Sequence, residues 1–199
     1  IARFRRETRL CAELQHPNIV PLLDSAETAN GQVCAVFSYV PGWNLDDVLA
    51  AEGALDPAEA LHLMTQVIDA LSSAHARGII HRDLKPGNIM ISATGARRNA
   101  LVMDFGLGTM CGDWSQRDHR NLTMAGAYLG TPFYSAPEQI RGETPTTRTD
   151  LYSWGLVMLE CLTGESALDA RTPQEAIHRH LSPEPIAIPP ALAGKVSPT

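Results

Sequence analysis

The residues best suited to chemistry lie in two short motifs, His81-Arg82-Asp83-Leu84-Lys85-Pro86-Gly87-Asn88 and Asp104-Phe105-Gly106. Asp104 follows Asn88 by sixteen residues. A carboxylate can orient a hydroxyl and accept its proton, while amide and carboxylate oxygens suit a hard cation such as Mg²⁺. Lys85, two positions after Asp83, can neutralise a phosphate. Phosphoryl transfer depends on this kind of positioning and charge neutralisation rather than on covalent chemistry by the protein.

The composition narrows the class of protein. The chain has 199 residues, of which 44% are hydrophobic and 19% charged, as in a soluble globular domain. Its formal charge of −6 argues against a nucleic-acid partner. Its cysteines, Cys11, Cys34, Cys111 and Cys161, form no CxxC pair, which indicates reduced thiols and a cytoplasmic location. The most apolar stretch, Leu151–Leu162, is too short to span a bilayer, so we expect no membrane segment.

The first forty residues predict one helix and two strands. Residues 2–15 repeat apolar positions at helical spacing. Ile19–Leu23 and Val33–Tyr39 are short apolar runs separated by the turn-forming Asn30-Gly31, which predicts an antiparallel pair with Val33 and Val36 in the strand core. Pro41-Gly42 then breaks the chain and marks a boundary between lobes.

The rest of the chain reads as mostly helical. Asp56-Pro57 is a helix start, with a capping side chain and proline at the first position. Gly78 ends this helix. Ile79–Ile91 and Leu101–Met103 predict short β segments, and residues 107–135 predict a long surface loop. The expected apolar face of the helix that starts at Asp56-Pro57 comprises Leu61, Met64, Ile68, Leu71 and His75.

Two more helices are expected toward the end of the chain. Leu151–Leu162 predicts a buried helix closed by Thr163-Gly164, and Pro173–Leu181 predicts a shorter one. Five prolines between residues 183 and 198 predict an irregular last stretch.

The motifs together resemble a known family. The two motifs above, followed by Gly130-Thr131 and Ala136-Pro137-Glu138, resemble a eukaryotic-like Ser/Thr protein kinase of the bacterial type. The resemblance implies an α+β fold with two lobes, a partial small β lobe with its helix and a mostly helical large lobe. Residues 1–40 would be the remnant of the small lobe, ending in the hinge, and residues 41–199 the large lobe without its last helices.

The resemblance assigns roles around the phosphate. Asp83 would accept the proton of the substrate hydroxyl, and Asn88 and Asp104 would bind Mg²⁺. Lys85 would lie near the transferred phosphate, and Thr131 would bond Asp83 and Lys85. Asp150 would anchor the backbone of the catalytic loop, although an acid at a helix start is also favoured by the helix dipole.

Further roles follow from the resemblance in the small lobe. Glu7 would hold the nucleotide-binding lysine, whereas any single helical glutamate can also be part of a solvated face. Cys11, Leu22, Phe105 and His81 would stack as an internal hydrophobic column. For His81 this is a packing role rather than a metal-binding one.

The resemblance also implies a nucleotide pocket. Phe37 would guard its inner end, backbone groups of Ser38 and Val40 would bind adenine, and Asn44 would contact the ribose. Met90 would form the apolar floor, although it fits equally well as an ordinary core methionine.

Arg82 indicates regulation by phosphorylation. In the family such an arginine can pair with a phosphate on the activation segment and order it. Thr123 is the first candidate acceptor, since it precedes Gly130 by seven residues, and an ordinary loop threonine is the alternative. Weaker candidates are Thr109, Ser115 and Tyr128.

Parts of the family pattern do not occur in this sequence. It has no Gly-rich loop and no nucleotide lysine, and it starts at Ile1 within the first helix. We therefore expect a fragment that is inactive alone, in which Glu138 is a buried carboxylate without its partner arginine. Gly87, where many base-directed kinases carry an acid, argues against strict selection of arginine in the substrate.

The sequence thus predicts a Ser/Thr protein kinase that uses ATP and Mg²⁺, or Mn²⁺ in its place. A protein with a Ser or Thr acceptor would be the substrate, and a second copy could be the partner in autophosphorylation. One alternative is a pseudokinase or scaffold module, although Asp83, Asn88 and Asp104 are all intact. The other is a small-molecule phosphotransferase, against which residues 130–138 argue.

Overall fold

Two strands form the first sheet of the protein. The computed structural model describes residues 11–27, 33–105, 132–188 and 192. Strand β1 (Leu22–Glu27) pairs antiparallel with β2 (Val33–Phe37), as predicted. The predicted turn at Asn30-Gly31 lies outside the described residues.

The first strand was predicted to begin at Ile19, and this start was wrong. Ile19 forms a parallel bridge with Val102, and the Val20 amide donates to the Val102 carbonyl at 2.9 Å. Pro21 lacks an N–H, so the chain changes partner there and the ladder of β1 begins at Leu22. The pairing of Ile19 and Val20 with Val102 connects the segment before β1 to the second sheet, which is described below.

The prediction that Val36 is strand core was also wrong. Its side chain is 47% exposed, and Leu23 on the paired strand is 64% exposed. The described residues leave that part of the two-stranded sheet uncovered. Apolar residue type alone therefore misjudged which positions are buried.

A second sheet has three antiparallel strands. Strand β3 (Trp43–Asn44) pairs with β4 (Ile89–Thr94), which pairs with β5 (Arg97–Val102). The β strand predicted over Ile79–Ile91 is restricted to its end, because a 3₁₀ turn at Pro86–Asn88 precedes β4. In the β4–β5 register Ile89 lies opposite Val102, so the residue before β4 and the residues after β5 meet at one end of the hairpin.

Helices make up most of the remaining described chain. Helix α2 begins where the sequence predicted, since the Asp56 carboxylate accepts from the amides of Ala58 and Glu59 and Pro57 is the first residue. The predicted helices near 151–162 and at 173–181 are confirmed. The helices are α1 (Leu45–Glu52), α2 (Pro57–His75), α3 (Pro137–Ile140), α4 (Thr147–Thr163) and α5 (Pro173–Leu181).

The buried face of α2 agrees only in part with the predicted one, since Met64 and Leu71 are fully buried as predicted. Leu61 is 59% exposed, and Leu63 and Val67 are fully buried instead. Small buried residues, Ala70 among them, let the helix lie close to α4 and β5. The prediction followed the largest side chains and missed the alanines that define the contact.

One hydrophobic cluster joins the described elements. Cys11, Leu14 and Ile19, from the predicted small-lobe remnant, pack in the same cluster as α2 and β4–β5. Among the described residues, no helix combines the length and the hydropathy that crossing a bilayer requires.

Gly42 is the glycine whose replacement we expect to be most damaging to the fold. Its φ is +134°, and an added Cβ would lie 2.1 Å from the Ile91 carbonyl oxygen. Gly42→Ala should therefore cost roughly 2–4 kcal/mol in the free energy of unfolding, measured by denaturant titration. The matched change Gly155→Ala, in open space within α4, should be neutral or stabilising by about 0.5–1 kcal/mol. Equal effects of the two changes would contradict this account.

Candidate active site

Asp150 holds the backbone of the predicted catalytic loop. Its carboxylate, 1% exposed, accepts from the amide of His81 at 2.9 Å and from the amide of Arg82 at 2.9 Å. His75 Nε2 lies 2.7 Å from the same carboxylate and completes its hydrogen bonding. Arg82 has a positive φ of 69°, which a non-glycine residue adopts only when its surroundings impose it. The predicted anchoring by Asp150 is thus confirmed.

His81 joins this loop to the segment after β5. Its ring is fully buried, and Nε2 donates to the Met103 carbonyl at 2.9 Å while Nδ1 accepts from the Asp83 amide at 3.2 Å. The ring meets Phe105 edge-on at 4.8 Å, and the Cys11 thiol donates to the Phe105 carbonyl at 2.9 Å. These contacts agree with the predicted packing role for His81.

Asp83, Lys85 and Asn88 form one hydrogen-bonded group. Lys85 Nζ donates to Asp83 Oδ2 at 2.9 Å. Asn88 Nδ2 donates to the Asp83 carbonyl at 2.7 Å and to Asp83 Oδ2 at 3.1 Å. The Asp83 side chain stays 34% exposed, so a substrate hydroxyl can reach it. Because the amide nitrogen of Asn88 is committed to Asp83, its oxygen is the atom available to a cation.

Asp104 lies beside this group. The Met103 amide donates to the Asn88 carbonyl at 3.0 Å, and Asp104 follows with a positive φ of 62°. Burial raises the pKa of the Asp104 carboxyl, and the Asp83 charge adds to the rise while His81 and Lys85 oppose it. A carboxylate held in this strained conformation near a second acid is a position that a cation would stabilise.

The donor set fits Mg²⁺ better than a softer metal. Asn88 and Asp104 offer hard oxygen atoms, and the described residues contain no cluster of three or more His, Cys, Asp or Glu that could enclose a metal. Mg²⁺ typically takes one or two protein oxygens and completes its shell with water and phosphate. The residues present therefore fit a magnesium ion bound together with a nucleotide.

The structure constrains the predicted nucleotide residues without testing their roles. Phe37 ends β2, and the Ser38 amide donates to the Pro21 carbonyl at 2.9 Å. Asn44 Oδ1 caps α1 by accepting from the Asp47 amide at 2.9 Å. The other two predicted residues, Val40 after β2 and Met90 in β4, are partly buried.

Several predicted site residues lie outside the described part of the chain. These are Glu7, Gly106, Thr131 and the candidate phosphate acceptor Thr123, together with Thr109, Ser115 and Tyr128. Their roles stay predictions.

The segment after residue 131 is fixed by contacts that the sequence did not reveal. Gln139 Oε1 accepts from the Ala136 amide at 3.0 Å, and its Nε2 donates to the Arg82 carbonyl at 2.7 Å. The segment is thus tied directly to the catalytic loop. Gln139 follows the Ala136-Pro137-Glu138 motif, and no local pattern marked its second bond.

The prediction that Glu138 is a buried carboxylate without a partner was wrong. Its side chain is only partly buried, and Oε1 accepts from the Thr149 hydroxyl at 2.6 Å. Thr149 Oγ1 also accepts from the Thr146 amide at 2.9 Å as part of the cap of α4. Both were missed from the sequence; the spacing Thr146-x-x-Thr149 could have predicted the cap, but no local pattern marks the bond to Glu138.

A cavity of about 310 Å³ opens beside the lysine. It is lined by Asp46, Lys85, Pro86, Gly87, Phe133, Tyr134 and Ser166. Tyr134 OH donates to Glu160 Oε2 at 2.7 Å at the edge of this region.

Glu160 should make stability depend on pH. Burial raises the pKa of its carboxyl above the ordinary value, Asp46 adds to the rise, and the Tyr134 hydroxyl opposes it. The pKa of Glu160 is therefore higher in the folded state than in the unfolded state. As a result, the wild type loses stability as the pH rises from the ordinary pKa of a glutamate through the raised one. Glu160→Gln, which can still accept from Tyr134, should therefore gain melting temperature relative to the wild type, by a few degrees between pH 4 and pH 7. A difference that does not change with pH would contradict this expectation.

Comparisons with known proteins agree with this geometry. The family model described as "Protein kinase domain" matches residues 2–191. The serine/threonine-protein kinase PknB of Mycobacterium tuberculosis is 41% identical over 187 residues, which are 92% of this chain and 29% of the relative. The serine/threonine-protein kinase pkn3 of Myxococcus xanthus is 37% identical over 189 residues, 93% of this chain and 34% of the relative. The chain thus spans about a third or less of these relatives.

Solved structures give the same result for the fold. The crystal structure of a point mutant of the Mycobacterium tuberculosis PknI kinase domain is similar with a TM-score of 0.66 and 30% identity. The match covers 84% of this chain and 59% of that one. The predicted α+β fold of the bilobal kinase type is confirmed by this likeness.

Proposed function

Because the chain belongs to the protein kinase domain family, we propose that the full-length protein transfers the γ-phosphate of ATP to a serine or threonine hydroxyl of a protein. The observation that carries the proposal is the hydrogen-bonded group of Asp83, Lys85 and Asn88 with Asp104 beside it. No feature of the described residues favours a scaffold role over this one.

The proposed mechanism assigns one task to each side chain. Asp83 orients the substrate hydroxyl and accepts its proton, and its exposure allows the hydroxyl to approach. Lys85 places its positive charge against the transferred phosphate. Asn88 and Asp104 hold Mg²⁺, which when bound neutralises charge on the phosphate oxygens. Thr131 bonds Asp83 and Lys85.

The remaining predicted residues bind the nucleotide or regulate the kinase activity. Phe37, Ser38, Val40, Asn44 and Met90 form the nucleotide pocket. Glu7 holds the lysine that contacts the nucleotide. Arg82 pairs with a phosphate on Thr123, added by a second copy of the protein.

The location and the domain limits are part of the same proposal. The protein would act in the cytoplasm, with Mn²⁺ able to replace Mg²⁺. Residues 1–40 would belong to the small lobe and residues 41–199 to the large lobe. The separate sheets, β1–β2 and β3–β4–β5, support a boundary near Pro41-Gly42.

The test is transfer of labelled γ-phosphate from ATP to a general protein substrate by the full-length protein with Mg²⁺. We expect label on serine or threonine that disappears when EDTA removes the cation. Full-length protein that binds ATP and transfers no phosphate would contradict the proposal and would favour the scaffold alternative.

A further inference from the structure

His180 is a buried polar residue of α5 whose side chain contacts the first residue of the turn Pro132–Tyr134. Its side chain is 4% exposed, and Ala176 and His180 are the two buried residues of α5. Helix α5 contacts the 3₁₀ turn at Pro132–Tyr134 and helix α3. The turn directly follows Thr131, which is proposed to bond Asp83 and Lys85, and its residues Phe133 and Tyr134 line the cavity beside Lys85.

Both ring nitrogens of His180 are committed. Nε2 lies 2.8 Å from the Pro132 carbonyl oxygen, which can only accept, so Nε2 carries the proton and donates it. Nδ1 lies 2.6 Å from the Tyr152 hydroxyl and accepts from it. The Tyr152 ring is tilted against the imidazole, with a centroid distance of 5.5 Å. Burial lowers the pKa of His180, which favours this neutral form.

Side chains of the helices make hydrogen bonds to both ends of the turn Pro132–Tyr134. Pro132 has no N–H, so its carbonyl is its one backbone hydrogen-bonding group, and this carbonyl also accepts from the Ser135 amide at 3.2 Å. At the other end Ser153 Oγ donates to the Tyr134 carbonyl at 2.7 Å. His180 therefore supplies the side-chain contact that joins the start of the turn to the helical part of the protein.

We propose that His180, oriented by Tyr152, is a positioning residue that fixes the backbone at Pro132 and thereby sets the affinity for the peptide substrate. This rests on the proposed kinase function. A displacement of Pro132 shifts the adjacent Phe133 and Tyr134, which line the cavity beside Lys85, and small displacements of positioned groups have large effects. The side chains proposed to bind the nucleotide and Mg²⁺ are held by other contacts. We therefore expect the loss of this hydrogen bond to change the KM for the peptide and not the KM for ATP.

Two substitutions separate the donor to Pro132 from the rest of the ring. The amide nitrogen of His180→Gln can reach the place of Nε2 and donate to the Pro132 carbonyl. His180→Asn places its amide near Nδ1 and loses that donor. In the full-length protein, His180→Asn should raise the KM for a peptide substrate about tenfold, the effect of one buried hydrogen bond left unmade. His180→Gln should stay within about twofold of the wild type.

Two further measurements make the outcome decisive. The KM for ATP should be unchanged in both variants, and the control His178→Asn, an exposed histidine on the same helix, should behave as the wild type. Equal peptide KM values for His180→Asn and the wild type, or parallel rises in the KM for ATP and for peptide, would overturn the inference while leaving the kinase function in place. A wild type without any transfer would instead remove the proposed function and this inference with it.

Discussion

Asp83→Asn in the full-length protein is expected to lower kcat for phosphoryl transfer by about 10²–10⁴-fold, the contribution of a general base. The amide cannot accept the hydroxyl proton. Its oxygen can still accept from Lys85 and Asn88, which bond Asp83 Oδ2 in the wild type. The fold and the KM for ATP should therefore change little, and steady-state kinetics with a saturating peptide measures the effect.

A matched change controls for the loss of one negative charge. Asp169→Asn alters an exposed aspartate in the loop before α5 and should leave kcat within about twofold of the wild type, as surface substitutions usually have small effects. An Asp83→Asn protein with wild-type kcat would mean that another group accepts the proton, and the role proposed for Asp83 would fall.

Asp150→Ala is expected to cause the largest loss of stability. The change leaves the amides of His81 and Arg82 and the ring of His75 without their shared acceptor in the interior. Each buried group left unpaired costs about 1–3 kcal/mol. Because losses at neighbouring groups are not additive, we expect a total at the low end of their sum, roughly 3–5 kcal/mol in the free energy of unfolding. Denaturant titration measures it.

The size of this effect separates two explanations of Asp150. An acid in the first turn of a helix gains about 0.3–1 kcal/mol from the helix dipole. A loss of that size on Asp150→Ala would support the dipole explanation and contradict the anchoring one. Asp169→Ala, a change at an exposed site outside a helix, should cost less than about 0.5 kcal/mol.

Local signals predicted the helix ends well. The cap and proline at Asp56-Pro57 and the limits Pro173–Leu181 depend on neighbours within one turn, and the structure has them there. Strand limits were less accurate, because β1 and β4 begin where Pro21 and the turn at Pro86–Asn88 allow pairing. The pairings next to these limits, Ile19 with Val102 and β3 with β4, join segments that are distant in sequence.

The candidate site was predictable because its residues recur in fixed motifs. Asp83, Lys85 and Asn88 lie within one short loop, and the β4–β5 hairpin brings Asp104 back to it. Apart from Asp150, the side chains that hold this loop were not predictable. His75 and Gln139 reach it from positions 75 residues before Asp150 and 57 residues after Arg82, and side chains of these types have many alternative partners in an unfolded chain.

The hydrogen bonds of Thr149 and His180 were not predictable for the same reason. Each looked like an ordinary helix residue, since a cap and a partly polar helix face explain them locally. Their bonds to Glu138 and to Pro132 depend on how α4 and α5 pack against residues 132–139. Polar contacts between packed helices leave no periodic pattern in a sequence.

The most direct test of the account is a crystal structure of the full-length protein with a non-hydrolysable ATP analogue and Mn²⁺, located by its anomalous signal. We expect the ion about 2.0–2.3 Å from both the Asn88 side-chain oxygen and the Asp104 carboxylate, with phosphate oxygens completing its shell. Lys85 should lie within hydrogen-bonding distance of the terminal phosphate. An ion bound away from Asn88 and Asp104, with the triphosphate pointing away from Asp83, would contradict the account.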